Sequence, residues 1–121
     1  MSRLLPILVA VVLLLGGVTL AGAHAILQRA EPPVESTVHT PPIQVRLWFS
    51  EQLERGLSRV RVVNERGKRV DTGDPQVDPA APNQLHVSLS PLPPGTYKVL
   101  WHVLSVDGHA TSGAFTFRVA P

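Results

Sequence analysis

The 121-residue sequence contains no cysteine. Disulfide frameworks, thiolate metal sites and a lipoprotein-type anchor on a cysteine behind a leader are therefore all excluded. Methionine occurs once, as Met1, so thioether donors are equally scarce. Aromatic residues make up only 5% of the chain and the formal net charge is +2. That combination lacks both the stacking surface and the cationic excess that nucleic-acid binding requires. Long apolar runs are missing beyond residue 23, so no later segment reads as a membrane span. Amphipathic helices of ordinary length are missing too. Pro32-Pro33, Pro41-Pro42, Pro91 and Pro93-Pro94-Gly95 cut the chain into pieces too short for them.

The N-terminus carries the one long apolar segment. Met1-Ser2-Arg3, the run Leu4 to Leu15 and Ala21-Gly22-Ala23 give a charged start, an apolar middle and an A-x-A ending, the pattern of a secretory leader. Leu4 to Ala23 also approaches the length of an uncleaved anchor, about 20 residues. Pro6, Gly16, Gly17 and the small-residue ending favour processing. The expected organisation is a signal peptide over 1–23 and one exported domain over 24–121. Cleavage after Ala23 makes His24 the first mature residue. Because Ala23-His24-Ala25 is itself an A-x-A pattern, cleavage after Ala25 is the alternative, and the mature chain would then begin at Ile26.

Within the domain, Ile43, Val45, Leu47 and Phe49 alternate with Gln44, Arg46 and Trp48, which predicts a half-buried strand. Arg59–Val63 and Lys68–Val70 around Asn64-Glu65-Arg66-Gly67 read as a hairpin, and 71–83 as a surface loop. Leu85 to Leu89, Thr96 to Leu104 and Ala114 to Val119 supply further strands. About seven short strands in a hundred residues predict an all-β fold, a small Greek-key sandwich or barrel of immunoglobulin-like type. Leu92-Pro93-Pro94-Gly95-Thr96-Tyr97 has the look of a tyrosine corner. Arg55, Arg59, Arg61, Arg66, Lys68 and Arg69 form a basic cluster that reads as a solvated hairpin face.

An N-terminal His24 would offer a free α-amine and an imidazole nitrogen, which together chelate a metal preferring nitrogen in a square plane, above all Cu(II). Asp107-Gly108-His109 is the second candidate element. In extended chain, residues two apart face one side, so Asp107 and His109 could address one metal and complete an N3O set. Asp-Gly is equally a common turn dipeptide, and on its own the segment reads as a turn. Glu51 continues the inward phase of the Ile43–Phe49 strand. It points either toward the core, where a metal or histidine would offset the cost of a buried carboxylate, or into water beyond the strand end. His39, His86 and His102 lack partners at telling spacing. Trp48 and Trp101 read as packing residues.

The chain resembles the CopC family of periplasmic copper-binding proteins. The resemblance rests on His24-Ala25, Ala30-Glu31-Pro32-Pro33, Leu47-Trp48-Phe49-Ser50-Glu51, Gly95-Thr96-Tyr97-Lys98-Val99-Leu100-Trp101, Ser105-Val106-Asp107-Gly108-His109 and Gly113-Ala114-Phe115-Thr116-Phe117, in that order. It implies a Greek-key β-barrel or sandwich holding one Cu(II) through His24, Asp107 and His109, with Glu51 near the site, outside the ligand set or at a weak axial position. Some members carry a methionine-rich Cu(I) site; with only Met1, this chain is expected to have none. A CopD-like inner-membrane protein, as a separate polypeptide, is the implied partner of a monomeric, exported copper carrier. Two other classes compete. A small copper monooxygenase also uses an N-terminal histidine, but a carboxylate among the ligands leaves less room for oxygen activation. A metal-free immunoglobulin-like interaction module would show no stabilisation by copper.

Overall fold

The computed structural model describes residues 24–121; the leader read over 1–23 lies outside them. Eight strands follow one another: β1 (Leu27–Glu31), β2 (Thr37–Val38), β3 (Gln44–Phe49), β4 (Arg59–Val63), β5 (Gln76–Val77), β6 (Gln84–Ser88), β7 (Gly95–Leu104) and β8 (Ala110–Val119). They form two four-stranded sheets, ordered β1-β3-β6-β5 and β2-β8-β7-β4. All pairings are antiparallel except β2 with β8. The fold is an all-β sandwich, as the alternation predicts.

The core forms where that alternation is strictest. Val45, Leu47 and Phe49 of β3 and Leu85 and Val87 of β6 meet Val60 and Val62 of β4, Val99 and Val103 of β7, and Phe117 of β8, all buried. Each such side chain contributes roughly 1.5–3 kcal/mol by leaving water. The tyrosine corner is formed: the Tyr97 hydroxyl donates to the Pro93 carbonyl, and its ring stacks on Phe117.

Several local expectations are corrected. Ile43 shares the parity of Val45 but is 82% exposed, because the strand begins only at Gln44. The second hairpin arm, 68–70, is not a strand. Val63 bridges Arg69, after which the chain leaves β4 and Asp71 bridges Leu89 beyond β6. The Asp71 carboxylate is fully enclosed and accepts from the Val62 and Gly73 amides and from Arg69 Nε, at 2.8–2.9 Å. It thereby ties the crossing segment to the edge of one sheet. The supposed loop 71–83 contains β5, whose Val77 is buried. β1 and β2 carry no alternation to read. Ala30 is the one buried residue of β1, which lies at a sheet edge with a bulge between Leu27 and Arg29.

Candidate metal centre

The domain's first residues are anchored at one end of the sandwich, between the two sheets. Ala25 is only 1% exposed and joins the core. Its carbonyl accepts from Thr111 Oγ1 of β8 at 2.9 Å. Next to it, the Ile26 amide donates to Ser50 Oγ at 2.8 Å, and the Ser50 amide returns a bond to the Ile26 carbonyl at 2.9 Å. Ser50 directly follows β3, so the segment behind His24 is held by hydroxyls from both sheets. His24 itself is exposed.

Asp107 and His109 lie in the turn joining β7 to β8, at the same end. The turn is closed by the Gly108 amide donating to the Ser105 carbonyl and the Ser105 amide donating to the His109 carbonyl, each at 2.9 Å. Gly108 has φ +91°, a conformation that favours glycine. The extended geometry expected for Asp107-Gly108-His109 is therefore corrected to a tight turn. The turn nevertheless brings the pair together, with His109 Nδ1 3.3 Å from Asp107 Oδ1. Both side chains are a little under half exposed.

The His24 and His109 rings meet edge to face, with centroids 4.9 Å apart and an interplanar angle of 79°. The three sequence-predicted ligands are thus contiguous, but as a chain of neighbours in which His109 touches both others. Among the described residues, no group of three or more His, Cys, Asp or Glu side chains is already gathered to hold an ion. Glu51 stands beyond the end of β3 and is half-buried, and it completes no such group. Its strand parity is lost because Ser50 and Glu51 bend away from the extended path; the next buried residue is Leu53.

The Asp107 carboxyl is held below its usual range. The chief cause is the Ser105 hydroxyl, which donates to Oδ1, followed by the contact with His109. Ser105 itself is fully buried. The other histidines lie elsewhere: His39 in an exposed loop, His86 on β6, and His102 on β7 with Nδ1 2.6 Å from Ser112 Oγ. Trp48 stacks under the Arg29 guanidinium, and Trp101 packs edge to face on Phe49 with centroids 5.2 Å apart.

Ser50, Ser105 and Thr111 are the residues that sequence reasoning did not single out for this region. Ser50 and Ser105 stand within the resemblance motifs without a role of their own, and Thr111 lies outside them. Hydroxyl residues are too common for their hydrogen bonds to be read from order alone. Chemically, two imidazoles and a carboxylate suit a borderline divalent metal rather than a soft monovalent one.

A model of the CopC domain matches residues 27–120. Protein YobA of Escherichia coli strain K12 is 39% identical over 98 residues, covering 80% of this chain and 79% of YobA. The crystal structure of CopC from Methylosinus trichosporium OB3b superposes with a TM-score of 0.72 at 31% identity, covering 81% of this chain and 95% of that one. PcoC, a methionine-rich copper resistance protein from Escherichia coli, gives a TM-score of 0.69 at 32% identity, covering 80% and 99%. Members of this family are copper-binding resistance proteins and not enzymes. With the sandwich, the turn motif and these matches in agreement, the chain belongs to the CopC family.

Proposed function

We propose that this protein is an exported, monomeric carrier that binds one Cu(II) and buffers it or delivers it to a separate CopD-like membrane protein. His24 supplies the amine and imidazole nitrogens, His109 a third nitrogen and Asp107 an oxygen; Glu51 sits outside this set or at a weak axial position. The observation that carries the reading is the edge contact of His24 with His109, whose other neighbour is Asp107. The 3.3 Å between His109 Nδ1 and Asp107 Oδ1 is near the separation of roughly 2.8–2.9 Å expected for two cis donors, each about 2.0 Å from one ion. Modest side-chain movement on binding would bring His24 into the same set.

Cleavage after Ala23 is supported over cleavage after Ala25 by packing. Ala25 fills a core position and accepts the Thr111 hydrogen bond, so a chain starting at Ile26 would lose both. A methionine-rich Cu(I) site is not part of the proposal, since Met1 leaves with the leader.

Titration of Cu(II) into protein beginning at His24 tests the model, read by competition with a chelator and by electron paramagnetic resonance. A variant with one extra residue ahead of His24 loses the free amine at this position and should bind much more weakly. Equal affinity of the two forms would refute the amine chelate. Binding should also weaken as pH falls below about 8, because the amine must shed its proton to bind.

A further inference from the structure

We infer that Ser105 is the positioning residue for Asp107: its buried hydroxyl presets the carboxylate for the metal. The inference rests on the copper reading above and concerns a residue that is not itself a ligand. Ser105 is fully buried, whereas Asp107 is nearly half exposed. An exposed aspartate ordinarily samples several rotamers, and this one is pinned from beneath.

The hydroxyl has one proton to donate. Two acceptors lie within reach, Asp107 Oδ1 and the His109 carbonyl, the latter at 3.2 Å. The charged carboxylate is the stronger acceptor and takes the proton. The Ser105 oxygen in turn accepts the His109 amide at 3.2 Å, which fixes the direction of the donated bond. The Ser105 backbone also closes the turn at both Gly108 and His109, which fixes the point from which the hydroxyl projects. Oδ1 is thereby held by Ser105 where it faces His109 Nδ1. A carboxylate held in this way loses little rotational freedom when it meets the ion.

Groups of this kind around a metal typically change its affinity ten- to a hundredfold. Ser105→Ala should therefore lower Cu(II) affinity by about that factor and shift the paramagnetic resonance parameters of the bound ion. The deciding measurement is a double-mutant cycle with Asp107→Ala. If Ser105 acts through Asp107, removing its hydroxyl from the Asp107→Ala background should change affinity by no more than about twofold. An equal loss in both backgrounds, or no loss in the wild type, overturns the inference while leaving the copper site standing. Failure of the wild type to bind Cu(II) tightly overturns both.

Apo-protein melts check that each variant folds. Should Ser105→Ala unfold at the assay temperature, Ser105→Thr and Ser105→Val make the same comparison, being alike in shape and differing in the hydroxyl. The threonine variant should bind more tightly than the valine variant. Equal binding by the two overturns the inference.

Discussion

His24 owes its position to residues that never touch its ring. Thr111 and Ser50 grip the two residues behind it, so that a mature chain would begin with an anchored terminus. Thr111→Val keeps the shape and removes the hydroxyl from the Ala25 carbonyl. It should cost about 1 kcal/mol of stability and weaken Cu(II) binding several-fold, with Thr111→Ser restoring both; calorimetric melts and chelator competition read the two effects. Asp107 adds a pH dependence to the apo-protein. Its carboxyl is depressed by Ser105 and then by His109. It therefore contributes stability that is present above the ordinary carboxyl range, near pH 4, and lost as pH falls through the lower folded value. Asp107→Asn should flatten the acid limb of the melting-temperature profile. An unchanged limb would show that the contact contributes nothing in solution.

The β7–β8 hairpin carries most of the architecture around the site, and its pairing is continuous from Gly95–Val119 to Leu104–Ala110. Trp101 lies directly across from Gly113, with ring atoms where a β-carbon would stand, the nearest at 2.3 Å. Gly113→Ala must displace the indole and should cost about 1–3 kcal/mol by overpacking, measured as a shift in the urea midpoint followed by tryptophan fluorescence. At the other end of the hairpin, Tyr97 is held neutral by burial first and by Glu65 second, which raises its phenol above the ordinary value. A raised folded value means stability that is intact below about pH 10 and declines as pH rises beyond it. Tyr97→Phe should abolish that alkaline decline. It should also cost about 1 kcal/mol at neutral pH through the lost bond to Pro93.

For the whole molecule, copper binding and folding are linked. At a free Cu(II) concentration 100 times the dissociation constant, the folded state should gain about 2.7 kcal/mol. For a domain of this size that raises the melting temperature by roughly 10–20 °C. No shift in a scan with and without copper would favour a metal-free interaction module. The residues of the basic cluster noticed in the sequence are all exposed. Arg59 and Arg61 lie exposed on β4, Arg69 pairs with the enclosed Asp71, and Arg55 reaches the Pro79 carbonyl. The turn Asn64–Gly67 returns Lys68 and Arg69 alongside β4, so a solvated hairpin face is what forms.

The period-two pattern, together with proline and glycine punctuation, was enough to locate β3, β4, β6 and β7, because one buried face imposes alternation on any strand. The missing cysteine and the lone Met1 likewise settled which donor atoms the chain can offer. Strands without alternation escaped: β1, β2 and β5 are held chiefly by their neighbours' backbone bonds, which sequence does not encode locally. Asp107 and His109 were legible as a pair, since a turn joins them, although an extended geometry was the wrong reason. The contact of His24 with that pair was decided by tertiary structure alone. It depends on bonds such as Thr111 to Ala25, 86 positions apart. Sequence periodicity reports only which face a residue shows, whereas a site is made by which faces the fold brings together.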